Sequence, residues 1–564
     1  MEIPRLVHDE LLQKLEEPRE AHLLQAVHDL EHGARIVEDD VVDKSLVAPK
    51  HTEKTPLLMA GSHVVTVDSD LDLKELAMKL NEEEQAAVRA DAALPAMEII
   101  KSEFKQLLLM FLPLIFSFLM EQLPFTFQAM MVGRTDESRS AEILAAFSLA
   151  GLFQVITVVP LLNGIGTALD TKCAQAVGGK RFREMWMFVQ ASIVMMLVCA
   201  PFIIVIFANG ATILKALGQD PVIADVTTTF LWTSLLSTPF LVLYSMQRSI
   251  LQAQNHVNPV AAASLLAYVV SVPAAYALGF WTPLGYVGIA LLNTINYIIK
   301  SLSLGIVLAR HKTSRETWPG IQLREASRFI PKLLHLAGSG VLLVMFQLVG
   351  TTVIAFLVGL LPNAAVMMSA NSIFSSALAL AILPTLGIST AGSIRIGNAL
   401  GAGQSRRASL VGQVTTWSCV TMGFLVMITA FAIKDPFVRS FTPDADTIHE
   451  ALKVFQHLLF VFFLLGFVHG QQAVFLACGE QWLCAQLNFM FLFVLAVPLG
   501  MYFAFSLDMG VTGLWSGYVL GTFGLILGGG LWYYRLSWSE MTHKARLGTQ
   551  LHVEERDTPT AAAF

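Results

Sequence analysis

The chain has 564 residues, 54% of them hydrophobic and 14% charged, with a mean hydropathy of +0.60 and a net charge of −6. That balance excludes an ordinary soluble enzyme of this length and indicates a polytopic membrane protein. The negative charge belongs to one end: residues 1–100 hold 10 Lys+Arg against 22 Asp+Glu, leaving 27 against 21 in the remainder.

Residues 1–100 read as an acidic, cytosolic, partly disordered extension. Nothing near Met1 has the apolar core of a signal peptide, and the many acids argue against a transit peptide. Within it, Glu20–Val37 and Leu71–Val88 have the spacing of short amphipathic helices, while His51–Ser69 reads as loop.

Twelve mostly apolar segments follow, each about 20 residues or longer, the length that crosses a ~30 Å hydrocarbon core. The first six fall at 107–131, 143–168, 185–208, 224–250, 258–280 and 285–309; the second six at 333–361, 365–392, 408–433, 449–476, 484–506 and 510–534. An even number puts both termini on one side. Loops after even-numbered segments carry Lys172, Lys180, Arg181, Arg183, then Arg310, Lys312, Arg315, Arg324, Arg328, Lys332, then Arg395, Arg406 and Arg407. Positive loops stay inside, so both termini are expected in the cytosol. The predicted layout is an N-lobe over 101–310, a basic linker over 311–331, a C-lobe over 332–537 and a cytosolic tail over 538–564. Pro113, Pro160, Pro239, Pro273, Pro384 and Pro498 should bend their helices.

The two sets of six share punctuation. Gln175-Ala-Val-Gly178 after the second segment matches Asn398-Ala-Leu-Gly401 after the eighth, an offset of 223. Asp220 matches Asp444 at 224, Leu251–Ala253 matches Leu476–Cys478 at 225, and Gly285-x-x-Gly288 matches Gly510-x-x-Gly513 at 225. Four matches in one order at nearly one offset imply a duplicated unit, and an offset of six helices gives both copies one orientation. The expected fold is therefore all-α, twelve transmembrane helices in two six-helix lobes related by a pseudo-two-fold axis along the membrane normal, with the site between them.

The order of motifs resembles that of the multidrug and toxic compound extrusion (MATE) family, especially its eukaryotic branch. The resemblance rests on Met131-Val-Gly-Arg134, Leu144-Ala-Ala-Phe-Ser148, Ala168-Leu-Asp170-Thr-Lys-Cys173-Ala-Gln175-Ala, Leu251-Gln-Ala-Gln254, Gly359-Leu-Leu-Pro362-Asn363 and Arg395-Ile-Gly-Asn398-Ala-Leu-Gly401, spread over about residues 105–540. It implies secondary active transport, in which two lobes rock about a central cleft and export organic solutes in exchange for protons or sodium ions. Departures from the family pattern are equally informative. Gln128 stands where many microbial members have a helix-1 aspartate, Gln347 and Thr352 stand at two glutamate positions of the plant and animal branch, and Val468-His469-Gly470-Gln471-Gln472 replaces L-D-G-L-Q. A cleft lacking these carboxylates attracts cationic solutes less, so neutral or anionic ones gain weight.

An ionised side chain at the bilayer centre costs roughly 2.5–3.5 kcal/mol or more, so Glu121 in the first segment is the preferred coupling group. Gln128, seven residues on, shares its helical face. His469 is a second candidate, because an ordinary histidine titrates near neutral pH. Asn163, Gln347, Asn371, Gln471 and Gln472 are polar groups in apolar helices that could line a solute cleft between helices 1, 2, 7, 8 and 10; helix-to-helix hydrogen bonding is an equal possibility. Asp170, Lys172 and Arg395 form a gating set: Lys172 and Arg395 are repeat equivalents, and Asp170 could bridge the lobes, or these groups could simply cap and anchor helix ends.

No cofactor is expected. The five cysteines have no metal-ligand spacing, and Gly178-Gly-Lys180 lacks the spacing of a nucleotide-binding loop, which leaves an ATP-driven pump or a membrane enzyme unsupported. A major-facilitator reading would want an aspartate after helix 2 that Gly178-Gly-Lys-Arg-Phe-Arg183 lacks. The rivals that remain are an uncoupled facilitator or lipid-linked flippase of the same fold, and a receptor without transport. Expected partners are a small organic solute, protons or sodium ions and the lipid bilayer, with no nucleic acid and a monomeric state, in a plasma membrane or vacuolar-type organelle membrane.

Overall fold

The computed structural model describes residues 93–550, with 56–60, 63–66, 85–86 and 88–91 before them. Two units are distinguished. One comprises residues 1–90 and 546–564, where Pro56–Ala60 and His63–Thr66 form an antiparallel hairpin in the stretch expected to be loop. The second strand carries the β-branched run Val64-Val65-Thr66, which suits pairing. The expected helix at Glu20–Val37 and most of that at Leu71–Val88 lie outside the described residues.

The other unit, Asp91–Ala545, is the membrane body, and its described residues hold twelve helices long and apolar enough to cross a bilayer. Helix is the required form there, because a lipid-embedded backbone must satisfy its own hydrogen bonds. Span 1 is Ala96–Val132 and span 2 is Ser140–Thr157 continued by Val159–Gly178. Spans 3 to 6 are Phe182–Ala208, Pro221–Ala253, Asn258–Phe280, and Tyr286–Ala290 continued by Leu292–Arg310. Spans 7 to 9 are Ile330–Val358, Ala364–Gly401 and Ser405–Arg439. Span 10 is Ala445–Leu458 continued by Phe460–Cys478, span 11 runs over Gln481–Ser506 with two π-helical stretches flanking Pro498, and span 12 is Gly510–Arg535. Several run well past the apolar segments: span 8 extends to Gly401 where apolarity ends at 392, because its last turns are buried against the other lobe instead of stopping at a lipid surface.

The chain folds as two six-helix lobes related by a pseudo-two-fold axis, and the repeated motifs show why. Gly285 and Gly510 both have positive φ, +53° and +58°, a left-handed turn that suits glycine before spans 6 and 12. Three residues on, a Cβ on Gly288 would come within 2.5 Å of the Leu278 carbonyl, and one on Gly513 within 2.6 Å of the Ala504 nitrogen. Asp220 and Asp444 both cap helices, accepting from the Val222 and Ile223 amides and from the Thr447 amide respectively. Each lobe then builds its own core. In the C-lobe the rings of Phe455, Phe462 and Trp515 lie 5.0–6.1 Å from Phe374, and in the N-lobe Phe147 meets Phe230 at 5.6 Å.

The lobes meet around the axis at the end that carries the basic loops. A Cβ on Gly178 would collide with the Asn398 carbonyl, and one on Gly401 with that of Gln175. Since Gln175 and Asn398 are themselves repeat equivalents, the contact is symmetric, as in a two-fold dimer. Farther along span 2, Gly164 packs on Val341, while Gly340 packs on Thr167. Gln175 donates to the Ala477 carbonyl (2.9 Å) and Thr171 to that of Leu476 (2.8 Å). This end of the cleft is sealed by backbone against backbone.

Candidate functional site

The N-lobe interior holds an ionic cluster. Glu121 of span 1 accepts the Tyr244 hydroxyl at 2.7 Å and faces Arg248 Nη1 at 3.5 Å, both on span 4, one turn apart. The side chains of Glu121 and Arg248 remain 26% and 20% exposed, so the pair has an open flank. Behind it lies Lys300 of span 6, fully buried, its Nζ 5.1 Å and 5.2 Å from the ring centres of Tyr244 and Tyr297. Asp170 of span 2 accepts from the Ser249 hydroxyl and attracts Arg248. Two carboxylates and two cations from four helices thus balance inside one lobe. A separate apolar groove of about 480 Å³, lined by Leu112, Pro113, Ile115, Phe116, Leu119, Asn258 and Ala261, contains none of these charged groups.

Arg248 and Lys300 were missed by reasoning from sequence. Both fall inside apolar segments, at 224–250 and 285–309, and a charge in such a segment is itself the signal. A count of positive residues confined to loops passes over them.

The C-lobe interior is neutral. Gln347 of span 7 and Gln472 of span 10 come together at 3.5 Å. His469 is buried, with Nδ1 2.8 Å from the Thr385 hydroxyl, and its carbonyl accepts from Ser389. Asn371 accepts the Trp515 indole N–H at 2.9 Å, and Gln471 donates to the Ile526 carbonyl at 3.1 Å. These are interhelical ties of the kind expected of membrane amides.

Other predicted residues are placed differently from expectation. Gln128 does not share an open face with Glu121: it is buried, donates to the Ile289 and Ala290 carbonyls and accepts from Asn293. It satisfies backbone groups freed where span 6 is interrupted, so the seven-residue spacing reflects a structural tie. Asn163 is exposed and donates to the Val159 carbonyl, four residues back on its own helix. Lys172 donates to Gln175 at 3.2 Å.

Among the described residues Glu103 makes an ionic contact between the lobes, whereas the hydrogen bond of Asp170 stays within the N-lobe. Glu103, at the start of span 1, is 1% exposed; Arg395 of span 8 grips both its oxygens at 2.7 and 2.8 Å, and Arg407 of span 9 adds a contact at 2.7 Å. Glu103 precedes the apolar run at 107–131, and that is why it reads as a flanking, solvated acid from sequence.

A duplicated twelve-helix bundle, sealed at one end around its axis and carrying buried charge in one lobe, is the architecture of a multi-pass membrane transporter. The chain belongs to the MatE family, whose model matches residues 113–277 and 341–512, more than half of its length. It is 28% identical over 402 residues to Protein DETOXIFICATION 16 of Arabidopsis thaliana, covering 71% of this chain and 82% of that protein. It is also 28% identical over 419 residues to Multidrug and toxin extrusion protein 1 of Pongo abelii, covering 73% and 71%. The crystal structure of the eukaryotic MATE transporter AtDTX14 superposes with a TM-score of 0.73 at 20% identity, covering 80% of this chain and all of that one. The protein is thus a eukaryotic-type multidrug and toxin extrusion transporter, and not an enzyme.

Proposed function

We propose that the protein is a secondary active antiporter that exports organic solutes or xenobiotics in exchange for protons or sodium ions by alternating access. Glu121 carries the reading: a carboxylate inside a membrane helix, open on one flank and tied to span 4 by Tyr244 and Arg248. An ionisable group so placed marks an ion pathway by default. A proton on Glu121 removes its attraction for Arg248 and loosens span 1 from span 4, so ion binding biases one arrangement over the other. Each proton moved down a membrane potential delivers about 2.3 kcal/mol per 100 mV, enough for more than tenfold accumulation.

The solute cleft lies between spans 1, 2, 7, 8 and 10, with Asn163, Gln347 and Gln472 as neutral lining. The positive-inside rule makes the sealed end cytosolic, and an even number of spans puts both termini in the cytosol. Glu103, Arg395 and Arg407 form the gate there, together with Lys172, the repeat twin of Arg395. One chain contains both lobes, so a monomer suffices, and the host is a plasma membrane or vacuolar-type membrane.

Reconstituted vesicles with an imposed proton gradient, screened with fluorescent cations beside phenolic acids, test this. Wild-type flux should follow the gradient, and Glu121→Gln should lose at least about tenfold of it. The neutral C-lobe interior favours a second reading, an uncoupled facilitator or lipid-linked flippase; flux indifferent to the gradient in both forms would establish that instead.

A further inference from the structure

Both lobes make the same tie at the end that carries the basic loops, with different chemistry. In the C-lobe, Glu480, in the turn between spans 10 and 11, accepts at 2.6 Å from Lys544 Nζ on the helix Trp538–Gln550 that follows span 12. The repeat equivalent of Glu480, 224 residues earlier, is His256 in the turn between spans 4 and 5, and it meets His311, the residue that follows span 6. The two Nε2 atoms stand 3.1 Å apart and the ring centres 4.6 Å apart. An ion pair closes the C-lobe tie by itself. Two neutral imidazoles need something between them: a proton, or a cation that takes a lone pair from each.

The surroundings of the pair favour the cation. His256 Nδ1 lies 2.9 Å from the Gln254 carbonyl, which can only accept, so Nδ1 carries the proton and Nε2 presents a lone pair. His311 Nδ1 lies 3.1 Å from the Ser314 hydroxyl, which can accept in the same way. A ring nitrogen turned to an oxygen behind it is the usual support of a metal-bound histidine. Two nitrogens bound at about 2.0–2.1 Å to one zinc-class ion stand about 2.9–3.4 Å apart, from the right-angled to the tetrahedral arrangement, and the observed 3.1 Å falls inside that range. A straight N–H···N bond of this length would set the ring centres roughly 5.4 Å apart, whereas at 4.6 Å the rings are inclined to one another. His256 is exposed and His311 half-buried, so ions and water reach them.

We infer that His256 and His311 form a two-histidine site for a divalent transition ion of the zinc class, with water completing its coordination, and that the ion clips the turn between spans 4 and 5 to the segment leaving span 6. Imidazole suits such ions, whereas magnesium and calcium take oxygen ligands. Among the described residues no group of three or more His, Cys, Asp or Glu is placed to hold a metal, so the pair has no larger competitor there. The clip sits beside the join between the lobes. Asn255, next to His256, accepts from Arg395 Nη1 at 3.5 Å, and Arg395 holds Glu103. Bound metal therefore steadies the turn on which Arg395 rests.

Amide exchange of the full chain in zwitterionic-lipid nanodiscs, stripped of metal with a chelator and then titrated with Zn²⁺, is the test. The His256 and His311 amides donate to the Leu251 and Val307 carbonyls, so both segments report opening of the tie. Zn²⁺ should slow exchange in 254–257 and in 311–314 together, and Mg²⁺ should slow neither. His256→Gln and His311→Gln should each raise the Zn²⁺ concentration needed at least about tenfold in both segments, although each removes a ring from only one of them. Slowing that survives either substitution, or that is confined to one segment, would overturn the assignment. So would indifference to Zn²⁺, which would leave the pair as a bent hydrogen bond sharing a proton. The readout involves no solute and no gradient, so its failure would leave the antiport reading untouched, and failure of coupled flux would leave the metal site standing.

Discussion

At matched positions the two lobes turn the chain in the same way and then bury different things. Lys180 and Gly403, 223 residues apart, both have positive φ, as do Asn255 and Gly479, 224 apart. Gly285 and Gly510 open spans 6 and 12 alike, and Asp220 and Asp444 cap their helices alike. Inside, the N-lobe gathers Glu121, Asp170, Arg248 and Lys300, whereas the C-lobe gathers Gln347, Gln472, His469 and Asn371 with neutral partners. Duplication has kept what the backbone requires and released the interior side chains to diverge. A buried charge is expensive in a membrane, so the four that the N-lobe keeps are the groups whose replacement should separate the two lobes.

The largest expected effect lies where the lobes join. Glu103 of the N-lobe meets two C-lobe arginines, while Lys172, the N-lobe twin of Arg395, donates only to Gln175 within its own helix. Removing one member of a buried pair costs roughly 3–5 kcal/mol, and the partial exposure of the arginines lowers this to roughly 2–4. Glu103→Gln should therefore lower the melting temperature of purified protein by several degrees, while Lys172→Gln should cost under about 1.5 kcal/mol. Equal costs would mean that the latch is no more than a surface pair.

Next comes transport. If the asymmetry is functional, Glu121→Gln should cut gradient-driven flux at least about tenfold, and His469→Gln, which can keep a hydrogen bond to Thr385, less than about threefold. A flattened pH profile in His469→Gln would show the two lobes sharing the proton and end the division of labour.

The duplication was legible because its markers are backbone markers: glycines and aspartates at turns declare themselves in any sequence. The spans were legible through apolar length, yet their ends were not, since Gly401 and Gly178 stop a helix packed on another helix and not a helix meeting water. Glu121 was readable as an isolated acid, and its partners Arg248 and Lys300 were readable by the same rule had it been applied to cations. Gln128, Asn163 and Glu103 were not readable in their roles. Gln128 and Glu103 depend on partners far along the chain, 161 residues away at Ile289 and 292 away at Arg395, while Asn163 is tied to Val159 four residues back, a contact that apolar patterning does not mark.

A smaller test compares the turns themselves. At one position the N-lobe holds Lys180 at φ +56° where the C-lobe has Gly403 at +82°. An L-residue in that region costs about 1–2 kcal/mol. Lys180→Gly should then raise thermal stability by about 1 kcal/mol, and Gly403→Ala should lower it by a similar amount; no gain from the first would mean that the lysine side chain compensates for its backbone.

The smallest effect separates the two caps by pH. The Thr447 side chain and amide hydrogen-bond the Asp444 carboxylate and hold it below the ordinary aspartate range. A group whose folded value is depressed contributes its stabilisation above the ordinary value and loses it as pH falls through the lower one. The first turn of Ala445–Leu458 should therefore fray in acid, seen as faster amide exchange at Thr447 than in Asp444→Asn at the same pH, since asparagine caps without titrating. At neutral pH the two forms should exchange alike. Because Asp444 faces solvent, water screens most of the interaction, and the difference should stay confined to that turn and leave the melting of the bundle unmoved. A change in global melting would mean that this loop carries more of the C-lobe than its exposure allows.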